Sequence, residues 1–179
     1  YGIGPRHQVD DTPYGGGDGM LLRVEPIFAA VEAAKAKNPQ AEVVLMTPKG
    51  KIWSQSDAQS YADAGKDYIF ICPHYEGYDE RILTLVDHQV SIGKFILTGG
   101  ELPTMTVVDS IVRLIPGVLG GEKSAEIESF SDGDNYEYPQ YTKPAEFRGL
   151  KVPEILLSGN HGAIAAWRAE NAPTKPAED

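Results

Sequence analysis

The chain has 179 residues, of which 41% are hydrophobic, and it carries a formal net charge of −10. This length and composition predict one substantial core in a soluble globular protein. The negative charge argues against a broad basic face for nucleic acid, because phosphate neutralisation supplies most non-specific affinity. The single cysteine, Cys72, excludes a disulfide framework. Because no apolar run approaches the roughly 18 residues of a membrane span, we expect a cytoplasmic protein.

The first part of the chain predicts a helix, a strand, a helix and a strand. Apolar residues recur at helical spacing over residues 26–37. The β-branched run 42–46 predicts a buried strand that ends in a turn over 47–50. Ser56 is expected to cap a second helix that ends at residue 64. The apolar run 68–72, which contains Cys72 as a buried and inert thiol, predicts the next strand.

A further cycle of elements follows. The pattern predicts a short helix over 79–85 and strands over 89–90 and 95–97. A long helix comes next and is expected to end at Pro116. Its apolar face is predicted to comprise Met105, Val108, Val112 and Ile115. Alternating strands and helices are typical of a parallel α/β sheet with helices on both faces, which binds ligands outside the carboxyl ends of its strands.

The last third of the chain has a different composition. Residues 121–135 are acidic and contain glycine and serine, which predicts a linker or mobile loop. Residues 161–168 predict a final amphipathic helix, for which His161 is interpreted as a helix-start residue. The polar, proline-bearing tail 171–179 is expected to be disordered.

Three glycine-rich loops, over 10–20, 75–81 and 97–103, are the most informative feature of the sequence. Glycine lacks Cβ and so lets backbone groups approach a ligand closely. Any one of these loops could equally be a simple turn. Because each carries charged or aromatic residues and two follow predicted strands, the three together favour a purpose-built pocket.

These loops belong to a series of ordered motifs that resembles the bacterial tRNA (guanine-N1)-methyltransferases of the SPOUT superfamily. The similarity covers nearly the whole chain. The motifs that carry it are His7 to Gly17, Tyr75 to Arg81, Ser91 to Gly93, Leu97 to Pro103, Arg113 to Gly120, Tyr138 to Pro144 and Leu156 to His161.

The resemblance implies transfer of a methyl group from S-adenosylmethionine to N1 of the guanosine immediately 3′ of the anticodon, position 37 of tRNA. It also implies a deep trefoil knot, which ordinary topology rules make very rare. The enzymes of this family are homodimers with the active site at the interface, and they bind the anticodon arm of tRNA. Carried over to matching positions, the cofactor-binding residues are Pro48, Tyr75, Glu76, Gly77, Ser91, Ile92, Gly93, Leu97, Gly99, Gly100 and Pro103.

Two catalytic roles follow from the same resemblance. N1 of guanine carries a proton, so the reaction needs a base, and Glu128 matches the position of the family's aspartate. Arg113 is expected to stabilise negative charge at O6, since its guanidinium stays charged. From the residues alone, Arg113 could equally be a salt-bridged helix arginine and Glu128 a solvated charge. Glu76 and Glu137 are candidate partners for the cofactor sulfonium or for Mg²⁺, with which the family's activity is associated.

The chain departs from the family pattern at several positions. Glu128 stands in place of aspartate, Pro73 in place of glycine and Phe95 in place of tyrosine. The family also has a strand and helix upstream of Tyr1 and a basic helical lobe after Arg168, which suggests a fragment or a trimmed homologue. We therefore expect a methyltransferase core over 1–120, a linker over 121–144 and the start of a helical region with its tail over 145–179.

Two other functions compete with this one. A catalytically silent module that binds S-adenosylmethionine or dimerises would keep the core without turnover. A nucleotide-binding domain of the P-loop or dinucleotide kind is the weaker alternative, because the sequence has no Gly-Lys-Ser/Thr signature and no Gly-x-Gly-x-x-Gly spacing after a strand.

Overall fold

The computed structural model describes residues 1–120, 128–131, 133 and 135–173. The chain forms two compact units, Tyr1–Val118 and Leu119–Asp179. The elements of the first unit are β1 (Asp10–Asp11), β2 (Leu21–Leu22), α1 (Val24–Lys37), β3 (Glu42–Ile52), α2 (Gln55–Ala64), β4 (Tyr68–Ile71), a 3-10 helix (Glu80–Leu85), β5 (His88–Ser91) and α3 (Glu101–Val112). Those of the second unit are β6 (Glu146–Phe147), β7 (Leu150–Lys151), α4 (Glu154–Leu157) and α5 (His161–Asn171).

The first unit is built on a three-stranded sheet in the order β4-β3-β5. Both pairings are parallel, with Val43 opposite Ile69 and Leu45 opposite Gln89. The central strand, β3, is fully buried from Val43 to Leu45, as expected for a parallel strand that is covered on both faces. The predicted α/β class with a parallel sheet is confirmed, and the trefoil knot stays a prediction.

Alternate residues of β3 enter two separate hydrophobic layers, because successive side chains of a strand point to opposite faces. Val43 and Leu45 pack with Val31 of α1 and with Ile82 of the 3-10 helix. Val44 and Met46 pack with a second group of buried residues that includes Ala58 of α2 and Val107 and Ile111 of α3. The sheet therefore has helices on both faces.

Two predicted boundaries in this unit are wrong. The N-cap of α2 is Ser54 rather than Ser56, because the Ser54 side chain accepts from the Asp57 N–H and the Asp57 carboxylate accepts from the Ser54 N–H. The turn expected over 47–50 lies inside β3, which continues to Ile52. The ladder with β5 shifts register between Met46 and Lys51, so the irregularity seen in the sequence is a break in pairing rather than the end of the strand.

The expected strand over 95–97 is also wrong. Phe95, Ile96 and Leu97 are 54%, 79% and 43% exposed and belong to no strand. An apolar run bounded by glycines looks like a buried strand in sequence, but here it forms part of a loop.

The buried face of α3 differs from the predicted one. It comprises Pro103, Val107 and Ile111, at a spacing of four residues. Met105 and Val112, placed in the core by the sequence analysis, are 65% and 40% exposed. Both faces of this helix are apolar, so periodicity alone does not select the face that packs against the sheet.

The second unit consists of a β6–β7 hairpin followed by α4 and α5. The Asn160 side chain caps α5 by accepting from the Ala163 N–H, and His161 is the first helical residue, which confirms its helix-start role. Most of the predicted linker core, residues 121–127, 132 and 134, and most of the predicted tail, 174–179, lie outside the described residues. Within the described part of the chain, no helix is long and apolar enough to cross a membrane.

Candidate functional site

A cavity of about 340 Å³ opens at the carboxyl end of the parallel sheet, in the first unit. Its volume falls in the range of small-molecule and cofactor sites. The lining comes from the later part of β3, the end of β5, the start of α3 and the loops that follow β4 and β5. The lining residues are Met46, Thr47, Pro48, Pro73, His74, Tyr75, Glu76, Gly77, Tyr78, Val90, Ser91, Ile92, Gly93, Phe95, Ile96, Leu97, Thr98, Gly99, Gly100 and Pro103.

The structure brings together the residues that the sequence analysis assigned to cofactor binding, since each of them lines this cavity. They are Pro48, Tyr75, Glu76, Gly77, Ser91, Ile92, Gly93, Leu97, Gly99, Gly100 and Pro103. They come from separate stretches of the chain that meet only because parallel strands end at one edge of the sheet. Their role in binding a cofactor stays a prediction.

Two of the three glycine-rich loops form one wall of the cavity by packing directly on each other. The Gly100 N–H donates to the Pro73 carbonyl over 2.7 Å. A Cβ at Gly100 would lie 2.7 Å from the Cα of Cys72 and 2.8 Å from the Pro73 ring. Because no side chain fits there, glycine is required for the two loops to meet. Pro73 lacks the usual backbone donor, yet its carbonyl makes this contact.

The loop that follows β4 is held in an unusual backbone conformation. Tyr75 has a φ of 61°, in the left-handed region that is uncommon for a residue with a side chain. The Gly77 N–H donates to the His74 carbonyl over 3.2 Å and closes the turn around it. Such strain persists only where the surrounding structure fixes it, and it concentrates at functional sites.

The first glycine-rich loop packs beside this wall and contributes no residue to the cavity lining. The Leu22 N–H donates to the Gly77 carbonyl over 2.9 Å, and the Glu76 N–H donates to the Met20 carbonyl over 3.0 Å. Tyr14, at the glycine-rich end of this loop, is fully exposed. The three loops therefore cluster, but only the second and third line the cavity.

Sequence reasoning missed several lining residues. Thr47 is buried, and its hydroxyl accepts a hydrogen bond from the Tyr78 hydroxyl over 3.2 Å. The His74 ring is hydrogen-bonded to the Glu101 carboxylate, a contact that we analyse below. The sequence does contain one signal for Thr47, because this residue directly follows the apolar run 42–46, where ligand-binding residues of a parallel sheet are expected. Cys72, expected to be buried, is half-buried, with its Sγ 3.1 Å from the Thr104 Oγ1.

Charged pairs brace the segments next to the cavity. The Arg81 guanidinium lies 2.6 Å from an Asp79 oxygen and lowers the pKa of that carboxyl. Arg23 pairs with Glu25 and, over 3.3 Å, with Asp11 of the first glycine-rich loop. The hydrogen bond from Arg23 lowers the pKa of Glu25. The carboxylates of Asp79 and Glu25 are therefore hydrogen-bond acceptors near neutral pH.

The two predicted catalytic residues lie outside the set that lines the cavity. Arg113 is the half-buried C-cap residue of α3, and its N–H donates to the Asp109 carbonyl over 3.2 Å. Glu128 belongs to the second unit, where it is half-buried and its carbonyl accepts from the Ser131 hydroxyl over 2.7 Å. The catalytic roles predicted from the sequence for these two side chains stay predictions.

The two candidate carboxylates for Mg²⁺ also lie apart in the chain. Glu76 is exposed at the cavity, and Glu137, in the second unit, accepts from the Gln140 side chain. Over the described ranges, no group of three or more histidine, cysteine, aspartate or glutamate side chains could hold a metal ion. A metal at either carboxylate would need most of its ligands from substrate, cofactor or water.

The second unit contains an open hollow of about 570 Å³ of its own. Tyr138, Tyr141, Lys143 and Arg168 lie among its lining residues. The Arg168 guanidinium lies 4.6 Å from the centre of the Tyr138 ring, a cation–π contact. Aromatic rings beside cations are the elements with which proteins bind unpaired nucleotides.

The fold and the cavity define a class of protein, an α/β domain with a cavity at the carboxyl edge of its parallel sheet. Comparison with known families is more specific. Residues 2–178 match the family described as tRNA (Guanine-1)-methyltransferase TrmD. The chain belongs to this family, which is part of the SPOUT superfamily.

Curated relatives agree with this assignment. The chain is 56% identical over 171 residues to a tRNA (guanine-N(1)-)-methyltransferase of Listeria monocytogenes, a match that covers 94% of this chain and 69% of that protein. It is 56% identical over 171 residues to the protein of the same name from Staphylococcus aureus, with 95% and 69% covered. The Lacticaseibacillus paracasei protein of that name is 52% identical over 174 residues, with 96% and 67% covered.

Proposed function

We propose that this protein transfers a methyl group from S-adenosylmethionine to N1 of the guanosine at position 37 of tRNA. The observation that carries the proposal is the cavity, whose lining includes every position matched to the family's cofactor site. Identities of 52% to 56% to proteins named tRNA (guanine-N(1)-)-methyltransferase support the same reaction and substrate.

The residues present fit S-adenosylmethionine. The apolar loop residues Ile96 and Leu97 and the Tyr75 ring suit the flat faces of an adenine. Glu76 supplies a carboxylate at the same cavity and is suited to the positive sulfonium. The requirement for glycine at position 100, where the two loops meet, is typical of a cradle that brings backbone groups close to a ligand.

The proton at guanine N1 has to leave as the methyl group arrives. The Glu128 carboxylate accepts this proton, which frees the nitrogen lone pair for attack. The Arg113 guanidinium donates hydrogen bonds toward O6, where negative charge develops as the proton is lost. S-adenosylmethionine, when bound, would supply an electrophilic methyl group: as N1–C forms, the S–C electron pair would go to sulfur and S-adenosylhomocysteine, a neutral thioether, would be the product. If Mg²⁺ is bound, Glu76 or Glu137 would supply one oxygen ligand, and the remaining ligands would come from substrate, cofactor or water.

The proposed active site includes a second copy of the chain. The exposed apolar residues Leu102, Met105 and Val112 on α3 support a homodimer, because soluble proteins seldom leave such a helix face in water. The proposed organisation is a methyltransferase core over 1–120, a linker over 121–144 that carries Glu128, and the start of a helical region with its tail over 145–179. The rings and cations of the hollow in the second unit, which come from both of the last two segments, support contact of this unit with tRNA.

The test is a methyl-transfer assay with an unmodified tRNA transcript that carries guanosine at position 37, using S-adenosylmethionine labelled in its methyl group. We expect label in N1-methylguanosine at that position and none in a transcript with adenosine there. Binding of S-adenosylmethionine without any transfer would instead indicate the catalytically silent module. Absence of both binding and transfer would reject the proposal.

A further inference from the structure

A hydrogen-bonded pair of side chains joins the two loops that form the cavity wall. The His74 Nε2 lies 2.6 Å from the Glu101 Oε1, across 27 residues of sequence. We propose that this pair positions the wall of the cofactor cavity by holding the loop after β4 against the start of α3. The inference rests on the proposed function, since it assigns the pair to binding of S-adenosylmethionine.

The backbone beneath the two side chains leaves room for them to meet. His74 and Gly99 form an isolated antiparallel bridge, so the two loops run side by side at this point. A Cβ at Gly99 would lie 2.5 Å from the Glu101 Oε2 and 2.7 Å from the His74 Cε1. The two side chains therefore meet directly over the backbone of a glycine, and any side chain at residue 99 would push them apart.

The residues on both sides of the pair line the cavity. Tyr75, Glu76 and Gly77 follow His74 directly, and Gly100 and Pro103 flank Glu101. Tyr75 is the residue with the left-handed backbone, and its ring lies 6.0 Å from the His74 ring. A residue in such a conformation persists only where its neighbours hold it. The pair supplies this restraint from outside the loop.

The solvent exposure of the pair indicates a local role rather than a contribution to global stability. The two side chains are 49% and 53% exposed, and exposed pairs contribute little to the free energy of unfolding. Loss of the pair would instead let the two loops separate more often. Since cofactor binds only the closed wall, the apparent affinity falls with the fraction of molecules that are closed.

The test is a double-mutant cycle on cofactor affinity in the full chain. Calorimetric titration with S-adenosylmethionine compares the unmodified protein with His74→Ala, Glu101→Ala and the double variant. We expect each single variant to bind about three- to fivefold more weakly, and the double variant to bind no more weakly than either single one. His74→Arg is expected to restore affinity to within about twofold while Glu101 is present and not after Glu101→Ala.

Two further measurements separate positioning from a general loss of structure. The melting temperature is expected to stay unchanged, and the KM for the cofactor to rise while kcat at saturation is preserved. Glu101→Gln, which keeps the shape and removes the charge, replaces any alanine variant that unfolds. The matched control is His88→Ala, which removes a 2.8 Å contact with Glu42. These two residues begin β5 and β3, at the sheet edge opposite the cavity, so we expect cofactor affinity to stay unchanged.

Unchanged affinity in the single variants, or losses that simply add in the double variant, would overturn the inference while leaving the proposed function intact. An unmodified protein that binds no S-adenosylmethionine would overturn both.

Discussion

Glu128 is the residue at which the chain departs from its family in the proposed chemistry. Glutamate keeps the carboxylate and adds a methylene to the aspartate that the family carries. Replacing it with glutamine removes the base, so we expect single-turnover methyl transfer to slow by about a hundredfold or more. Cofactor affinity is expected to stay unchanged, because Glu128 does not line the cavity.

The matched variant Glu128→Asp restores the family's side chain and is expected to keep transfer within about tenfold of the unmodified rate. Arg113→Ala is expected to slow transfer in the same assay without weakening the cofactor. Normal single-turnover rates in both Glu128→Gln and Arg113→Ala would contradict these roles and favour the silent module.

Sequence motifs selected residues that the structure brings together. Tyr75 to Gly77, Leu97, Gly99 and Gly100 were selected from the sequence and line one cavity, and their role in binding a cofactor stays a prediction. The hydrogen bond between His74 and Glu101 was missed, because nothing in the sequence indicates which side chains meet across 27 residues. Thr47 was missed because it was assigned to a turn over 47–50, whereas it continues the buried part of β3.

The start of α2 shows what a single cap contributes to an element. The Ser54 hydroxyl accepts a hydrogen bond from the Asp57 N–H, and the Asp57 carboxylate accepts one from the Ser54 N–H. Burial would raise the pKa of Asp57, but the hydrogen bonds from Lys51 and Ser54 outweigh it and lower that pKa. Ser54→Ala is expected to reduce the free energy of unfolding by about 1 kcal/mol. Urea denaturation with Ser56→Ala as the control checks this, and an equal loss in both variants would contradict the assignment of the cap.

The outer face of α3 is the element-scale test of the proposed dimer. Met105 is 65% exposed on this face, and an aspartate there would place charge in an apolar interface at a large desolvation cost. We expect Met105→Asp to convert a dimer to a monomer in light scattering, with its circular dichroism unchanged.

The control for this experiment is Ile52→Asp, which changes a 49% exposed residue at the end of β3. It is expected to leave the dimer intact. A monomeric unmodified protein would contradict the proposed second copy.

Element types were largely predictable from sequence, and the buried face of α3 was not. The helices α1, α2 and α3 and the strands β3, β4 and β5 all appear near their predicted positions. The core face of α3 was assigned wrongly because Met105 and Val107 lie on different faces of a helix that is apolar on both. Which face packs inward depends on the sheet that it meets, and that information is not local.

At the scale of the whole molecule, we expect the free energy of unfolding to fall at acidic pH, because paired carboxylates become protonated there. Hydrogen bonds from Lys66 and then His88 lower the pKa of Glu42. A lowered pKa means that the unfolded chain binds the proton more readily, so this stabilisation is complete above the unfolded pKa and is lost as pH falls through the folded one.

We expect Glu42→Gln to lower the urea midpoint at pH 7. The difference from the unmodified protein is expected to shrink as pH falls below the unfolded pKa of about 4.3 and to vanish only below the lowered pKa of the folded state, where Glu42 is neutral in both states. A difference that persists in acid would indicate packing rather than charge. Glu154→Gln, an exposed glutamate in the first turn of α4, is the control and is expected to change little at either pH.

The parallel sheet with helices on both faces followed from the alternating pattern of elements, but the knot and the dimer were implied only by the resemblance. Periodicity reports which residues are buried and carries no information about how the chain threads through itself. Periodicity also does not show whether an apolar helix face is buried in the core or exposed, as the face with Leu102 and Met105 is.

The most direct test of the cavity as a cofactor site is calorimetric titration of the chain with S-adenosylmethionine, alongside Gly100→Ala. We predict micromolar binding to the unmodified chain. The variant, whose new Cβ would lie 2.7 Å from the Cα of Cys72, is predicted to show none. Gly120→Ala, at a position with nothing within 4 Å, should bind normally. No binding by the unmodified chain, or equal binding by Gly100→Ala, would contradict the account.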